Sequence, residues 1–247
     1  MPGLFCVPNY KSCLDPRLSG GKTYKLGMKR KILIATTNPG KIAELRAMLD
    51  VDVELVGLSD FAGISEVKED AVTFAENARE KALGYAKATG LWTIADDSGL
   101  VVDALNGQPG VKSSRFSGER ESNRKLLDHK NMAKVLKLLR NVPKEKRTAR
   151  FVCCLCLASP EKILIETQGI VEGLIAYEEI GQNGFGYDPI FFVPSLNKTV
   201  GQMSPEEKNA ISHRSQAIGK LKPLLEKMHL WERRKSPPSQ EYRRDTT

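Results

Sequence analysis

Two adjacent carboxylates, Asp96 and Asp97, follow a short apolar segment and precede Ser98 and Gly99. Buried carboxylates are costly unless they are paired or bound to a metal. Because successive residues of a strand point to opposite faces, we expect one acid to face a cleft and the other to join a structural hydrogen-bond network. Ser98 lacks the Gly-x-Ser-x-Gly setting of a nucleophilic serine. The pair therefore predicts acid–base or metal chemistry.

Further carboxylates lie upstream, where Glu66 and Glu69 precede a predicted helix. Either could complete a set of oxygen ligands with the aspartates. Mg²⁺ usually takes one or two carboxylates from the protein and fills its other positions with substrate phosphate and water. We therefore expect Mg²⁺ together with a phosphate-bearing substrate.

A candidate phosphate loop connects the first predicted strand to the first predicted helix. Free backbone N–H groups and the positive end of a helix favour anions at such a junction. The loop is not a Walker motif, because Ile42 stands where a magnesium-binding hydroxyl would be needed. Taken alone, it fits an ordinary strand-to-helix turn equally well. Its residues are Thr36, Thr37, Asn38, Pro39, Gly40 and Lys41.

A glycine-punctuated segment carries two aromatic residues and an acid, Phe185, Tyr187 and Asp188, with Gly186 between the aromatics. Aromatic faces stack on nucleic-acid bases. Phe185 lies between two glycines, which makes it a poor candidate for core packing. The segment therefore indicates a surface that holds a base.

A second cluster of polar residues follows Ser204, which is a predicted helix N-cap with Glu207 three residues later. Lys208 can share a face with His213 and Arg214 only if the helix bends or breaks between them. A solvated amphipathic helix is the alternative. Together with the other motifs, the cluster indicates a site that binds an anion or a nucleotide base.

The periodicity of apolar residues predicts a mixed-sheet α/β fold. Residues 96–99 are expected to interrupt the third strand, with an extended segment resuming over 100–105. A hairpin over 150–159 and 163–171 turns at residues 159–161 and adds antiparallel pairing. The other predicted strands cover 31–36, 53–58 and 92–95, and the helices cover 42–49, 73–88 and 123–139.

Charge is unevenly distributed along the 247 residues, which carry a formal net charge of +8. Residues 1–31 have a net charge of +6 and residues 231–247 a net charge of +2, so the 199 residues between them are neutral. A protein that binds a nucleic-acid duplex should carry its basic stripe on the folded domain. We therefore predict that nucleic acid is not the ligand.

The ends of the chain are predicted to lie outside one working domain, residues 28–230. Residues 1–27 read as disordered, or as an extension upstream of a start at Met28, and residues 231–247 as a disordered basic tail. No segment is apolar enough for a membrane span or a signal peptide, so we expect a cytoplasmic protein without a membrane partner. Cys153, Cys154 and Cys156 lack zinc-ligand spacing and are expected to pack in a strand.

Together these motifs resemble the inosine triphosphate pyrophosphatase family, also called dITP/XTP pyrophosphatases. The resemblance covers about residues 31–225. It implies an elongated mixed β-sheet flanked by helices, with two lobes around a substrate cleft, and a homodimer. It also implies Mg²⁺-dependent hydrolysis of purine nucleoside triphosphates such as ITP, dITP and XTP to the monophosphate and pyrophosphate. The motifs that carry it are 36–41, 73–78, 95–100, 109–111, 114–118, 184–189, Lys208, His213 and Arg214.

The resemblance assigns roles residue by residue. Asp97 would be the general base and a metal ligand, and Glu69 the second metal ligand. The substrate would be held by residues 36–41, Ser98, Arg115, Phe185, Gly186, Tyr187, Asp188, Lys208, His213 and Arg214. Thr37 stands at a position where this family frequently has glycine, and Lys112 at one where it commonly has an aromatic residue. The departure at Thr37 puts the geometry of the loop 36–41 in doubt. A pyrophosphatase for other modified nucleotides and a non-catalytic nucleotide-binding regulator remain alternatives.

Overall fold

A seven-stranded mixed sheet forms the centre of the molecule in the computed structural model, which describes residues 29–235. Its strands lie in the order β2-β1-β3-β4-β5-β6-β7. The first three are parallel and all later pairs are antiparallel, which confirms the mixed α/β fold. The strands are β1 (Arg30–Ala35), β2 (Val53–Gly57), β3 (Trp92–Val102), β4 (Thr148–Ala158), β5 (Ile163–Ile175), β6 (Phe191–Val193) and β7 (Lys198–Thr199).

Five α-helices flank the sheet, and short 3₁₀ helices occur in the loops. The helix predicted over 73–88 is confirmed within one residue at each end: Thr73 accepts a hydrogen bond from the Glu76 N–H, and Gly90 ends the helix in the left-handed region. The helices are α1 (Pro39–Met48), α2 (Phe74–Thr89), α3 (Arg124–Leu138), α4 (Pro205–Ile211) and α5 (His213–Lys235).

The predicted interruption of the third strand is wrong. β3 is continuous, and residues 96–99 pair with β4 in register, Asp97 opposite Cys154 and Gly99 opposite Val152. The two carboxylates can remain in a buried strand because basic side chains from other elements pair with them. Gly99 serves close packing rather than a turn, since an added Cβ would collide with Ser113. The segment predicted to be extended to residue 105 instead turns into a 3₁₀ helix, Asp103–Leu105.

Of the two alternatives left open after Ser204, the structure shows a helix break rather than one continuous amphipathic helix. α4 ends at Ile211, and Ser212 adopts an extended conformation before α5 begins. The Ser212 hydroxyl then accepts the Ser215 N–H at 3.1 Å and caps α5. This break places the Lys208 side chain and the His213–Arg214 pair at one site.

The apolar core divides near the middle of β3 and β4. One cluster, with Leu100, Val102 and Phe151, packs with residues of α3. Two others cover opposite faces of the remaining sheet, one with Leu45 and Ile218 and one with residues of α2. The two aspartates lie on β3 between the two parts of the core. This position is the one expected for site residues in a cleft between two lobes. Cys153, Cys154 and Cys156 are buried in these clusters, as predicted.

The domain limits predicted from composition stay predictions. α5 continues to Lys235, past the limit at 230. The expectations for residues 1–27 and 236–247 lie outside the described residues. Within residues 29–235, no helix combines the length and apolar character needed to cross a membrane.

Arg147 is a buried cation whose partners are backbone carbonyls. Its guanidinium donates to the carbonyls of Leu139 at 2.7 Å, Ile175 at 2.8 Å and Ala176 at 2.7 Å. We expect Arg147→Met to lower the free energy of unfolding by about 3 kcal/mol, because these buried acceptors lose their donors. Urea unfolding measures the change, with the exposed Arg140→Met as control. A loss below about 1 kcal/mol would contradict this role.

Candidate active site

The cleft between the two parts of the core has a volume of about 270 Å³ and joins most of the predicted site residues. Three predicted residues, Pro39, Gly40 and Arg115, do not line it. Pro39 and Gly40 lie in the first turn of α1. Arg115 is exposed and donates to the Glu69 carbonyl at 3.4 Å. Those that line it are Thr36, Thr37, Asn38, Lys41, Glu69, Asp97, Ser98, Phe185, Gly186, Tyr187, Asp188, Lys208, His213 and Arg214.

Asp96 is the structural member of the acidic pair. Its side chain is fully buried and is paired with Arg214 at 2.7 Å and with Lys41. It also accepts hydrogen bonds from the hydroxyl of Ser98 and the thiol of Cys153. Burial alone would raise the pKa of Asp96, but Arg214 and Lys41 hold it well below its usual range. Asp96 is therefore a permanent anion that fixes basic groups from α1 and α5.

Asp97 is the member that faces the cleft. One carboxylate oxygen accepts a hydrogen bond from Lys81 at 3.0 Å and the other from the Asn77 amide at 3.2 Å. Burial raises the pKa of Asp97 above its ordinary value, and Lys81 opposes that shift. A carboxylate whose basicity is raised inside a cleft is suited to accept a proton from water.

Lys81 joins Asp97 to the second predicted metal ligand. Its ammonium lies 2.7 Å from Glu69 and 3.0 Å from Asp97. Glu66 also lines the cleft. Among the described residues, no group of three or more His, Cys, Asp or Glu side chains is placed to hold a metal. Glu69 and Asp97 both contact the Lys81 ammonium. Two carboxylates nevertheless match the one or two protein ligands that Mg²⁺ usually takes.

The phosphate loop differs from its prediction, because α1 begins at Pro39 rather than after Lys41. Asn38 is the N-cap, and its side-chain oxygen accepts the N–H groups of Gly40 at 2.9 Å and Lys41 at 3.3 Å. Proline is well tolerated at the first helical position because the N–H it lacks would have no partner there. The cap thus fixes the N-terminus of α1 at the wall of the cleft, where the helix dipole favours an anion.

One side of the cleft, the base end, combines an aromatic ring with a buried cation, and the ring packs so close to Gly40 of α1 that an added Cβ would collide with it. The Lys208 ammonium lies 4.3 Å from the centre of the Phe185 ring. It also contacts Asp188 at 2.6 Å and Glu44 at 2.8 Å. Asp188 Oδ2 in turn accepts the Phe185 N–H at 2.8 Å, which fixes the loop. This end presents a ring face and charged edges, the features that hold a planar base.

His213 is buried and stacks on Phe151 with ring centres 4.9 Å apart. Burial, with the neighbouring Arg214, holds the pKa of His213 well below its ordinary value, so the ring is neutral. Its Nδ1 atom is buried without a hydrogen-bond partner among the described residues. Arg214, by contrast, donates to Asp96, Glu44 and Ser98.

Five further side chains around the cleft were not predicted. Asn77 and Lys81 lie one turn apart on α2 within the apolar stripe of Ala78 and Ala82, so polar residues in a buried stripe were an available signal. The other three were missed because the contacts that bring them to the cleft are made with residues distant in the chain, although Arg124 and Asp128 also pair with each other four positions apart. These three are Glu44 on α1 and the Arg124–Asp128 pair on α3, whose Asp128 accepts the Gly186 N–H.

The mixed sheet and its carboxylate-containing cleft define an α/β enzyme that acts on phosphate esters or anhydrides. A model of the Ham1 family matches residues 32–224. The chain therefore belongs to the Ham1 family, which confirms the family predicted from the motifs.

Curated relatives and solved structures agree with this assignment. A dITP/XTP pyrophosphatase of Desulforamulus reducens is 44% identical over 201 residues, 81% of this chain and 98% of its own length. The structure of the Staphylococcus aureus Ham1 protein has a TM-score of 0.71 and 43% identity, and covers 81% of this chain and 100% of its own. A Ham1 protein of Coxiella burnetii has a TM-score of 0.72 and 40% identity, with coverage of 80% and 99%.

Proposed function

We propose that this protein hydrolyses non-standard purine nucleoside triphosphates, namely ITP, dITP and XTP, to the monophosphate and pyrophosphate. This activity would keep such nucleotides out of DNA and RNA. The observation that carries the proposal is one continuous cleft lined by Asp97, by Asn38 and Lys41 at the N-terminus of α1, and by the Phe185 ring. The dITP/XTP pyrophosphatase relatives, at 44–47% identity over most of the chain, support the same substrate class.

The chemistry of the lining residues assigns the base and the phosphates of the substrate to different groups in the cleft. The base lies at Phe185 and Lys208, and the phosphates lie toward residues 36–41 and Lys81. This arrangement sets the α-phosphorus close to Asp97. Asp97 takes a proton from water while the water oxygen bonds to the α-phosphorus. The bond from that phosphorus to its bridging oxygen then breaks, and the β- and γ-phosphates leave together as pyrophosphate.

Nucleotide pyrophosphatases of this kind generally use a divalent metal ion, and we assign Mg²⁺. Glu69 and Asp97 would hold it, with Glu66 as the nearest alternative carboxylate. When bound, Mg²⁺ neutralises charge on the phosphate oxygens. Lys81 balances the two carboxylates, since its ammonium contacts both. A homodimer is part of the proposal, as the resemblance implies.

The position of attack gives a direct test of the reaction. With ITP in H₂¹⁸O, we expect ¹⁸O in IMP and none in pyrophosphate, because the new bond forms at the α-phosphorus. Mass spectrometry of the products measures the label. IDP with free phosphate as first products, or label in pyrophosphate, would contradict the mechanism. Binding of ITP without any product would instead favour a non-catalytic nucleotide-binding regulator.

A further inference from the structure

Asn77 lies in the second turn of α2 and is almost fully buried, with 1% exposure. Its amide oxygen accepts the Ala71 N–H at 3.1 Å, and its amide nitrogen donates to Asp97 at 3.2 Å. We propose that Asn77 is a positioning residue that fixes the Asp97 carboxylate relative to the segment 61–73, which carries Glu69. This inference rests on the hydrolytic function proposed above.

The two partners of Asn77 require opposite hydrogen-bonding groups. The Ala71 N–H needs an acceptor, and the ionised Asp97 needs a donor. A side-chain amide offers both from one planar group, whereas an ionised aspartate offers acceptors alone and leucine offers neither. The orientation of the Asn77 amide is therefore determined by its two neighbours.

Both carboxylate oxygens of Asp97 are held by α2. Lys81 binds Oδ1 and Asn77 binds Oδ2, and the two residues share a helix face because they are four positions apart. The same helix holds the segment 61–73 at three further points, through the contacts of Asn77 with Ala71 and of Lys81 with Glu69 and through the Tyr85 hydroxyl, which accepts the Val67 N–H at 3.3 Å. The position of the predicted base and that of the second predicted metal ligand are thus set by one element.

Loss of this coupling should slow the chemical step and leave binding nearly intact. Partners that orient a reacting group typically change activity by about 10- to 100-fold, and a displacement of about 1 Å can cost about 100-fold. The residues proposed to hold the base and the phosphates do not depend on Asn77 for their contacts. We therefore expect kcat to fall by about 10- to 100-fold while KM for ITP stays within about threefold.

Two variants separate the two halves of the coupling. Asn77→Asp keeps an acceptor for the Ala71 N–H but replaces the donor to Asp97 with a second carboxylate that repels it, and Asn77→Leu loses both the acceptor and the donor. Steady-state kinetics with ITP and hydrogen exchange of the Ala71 amide by NMR are measured on each. We expect Asn77→Asp to lower kcat and leave Ala71 protected, and Asn77→Leu to lower kcat and speed Ala71 exchange. Glu80→Gln, an exposed change on the same helix, should alter neither.

An active wild type with unchanged kcat in Asn77→Asp would overturn the inference. So would an unchanged rate of Ala71 exchange in a folded Asn77→Leu, or an equal change of kcat and KM that marks a general structural loss. If Asn77→Leu does not fold, the near-isosteric Asn77→Asp decides alone. Failure of the proposed function is distinguishable, because the wild type itself would then release no pyrophosphate from any purine triphosphate.

Discussion

Asp97→Asn is expected to lower kcat by about 10²- to 10⁴-fold while the protein remains folded. The amide keeps the shape of the side chain but loses the negative charge and the ability to take a proton. Folding should persist because Lys81 retains Glu69 as a partner at 2.7 Å, so no buried cation is left alone. Steady-state release of pyrophosphate from ITP measures the rate, and circular dichroism measures the fold.

The control for this experiment is Asp103→Asn. Asp103 follows the end of β3 and pairs with Arg150 and Thr148 at the surface, so its neutralisation should leave kcat unchanged. Near-normal hydrolysis by a folded Asp97→Asn would contradict the assignment of Asp97 as the base. A comparable loss in Asp103→Asn would show that the effect is one of general charge.

Local features of the fold could be predicted from the sequence because their causes lie within a few residues. The cap at Ser204 is one case: its hydroxyl accepts the Glu207 N–H at 3.2 Å, and the Glu207 carboxylate accepts the Ser204 N–H at 2.9 Å. The helix break before His213 is a partial case, because the sequence showed only that Lys208 and His213 share a face if the helix bends or breaks, and left a continuous helix open. Periodicity and capping are sufficient for elements of this kind.

The wrong prediction at residues 96–99 has a non-local cause. Adjacent aspartates followed by serine and glycine resemble a turn when read locally. Their stability in a strand depends on Arg214, 118 residues away in sequence from Asp96, and on Lys41 at a separation of 55. Buried ion pairs between distant segments cannot be read from local pattern, and Glu44 was missed for the same reason.

We expect kcat/KM to be about 10⁴-fold higher for ITP and XTP than for ATP, with a smaller preference over GTP. Hypoxanthine and xanthine present an acceptor oxygen at C6, where adenine presents an amino donor. A buried site that hydrogen-bonds one of these groups leaves an unpaired polar atom against the other, and such a mismatch can cost about 10⁴-fold or more. Guanine shares the C6 oxygen, so the site can discriminate against GTP only through the 2-amino group, near Phe185–Asp188. We therefore expect weaker discrimination against GTP than against ATP.

The structure shows which of the donors expected at the base end already have hydrogen-bond partners. From the sequence we expected donors such as Arg214, His213 or a backbone N–H to face the base. The nitrogens of Arg214 already donate to Asp96, Glu44 and Ser98. Arg214→Ala would therefore remove a partner from two acids, and breaking a buried ion pair costs about 3 to 5 kcal/mol. His213 lines the cleft, is neutral and forms no ion pair among the described residues, so its replacement is the better probe.

His213→Phe tests this account, because phenylalanine keeps an aromatic ring against Phe151 but has no hydrogen-bonding nitrogen. We expect kcat/KM for ITP to fall much more than that for ATP, so that the ITP-to-ATP ratio approaches the 10- to 200-fold that shape alone provides. Values for ITP, XTP, GTP and ATP are compared between wild type and variant, with the exposed Lys227→Gln as control. If ATP is as good a substrate as ITP for the wild type, hydrogen bonding at C6 does not select the base. If the ratios survive in His213→Phe, the selecting donor is another group, and the remaining N–H of Lys208 becomes the one the geometry favours.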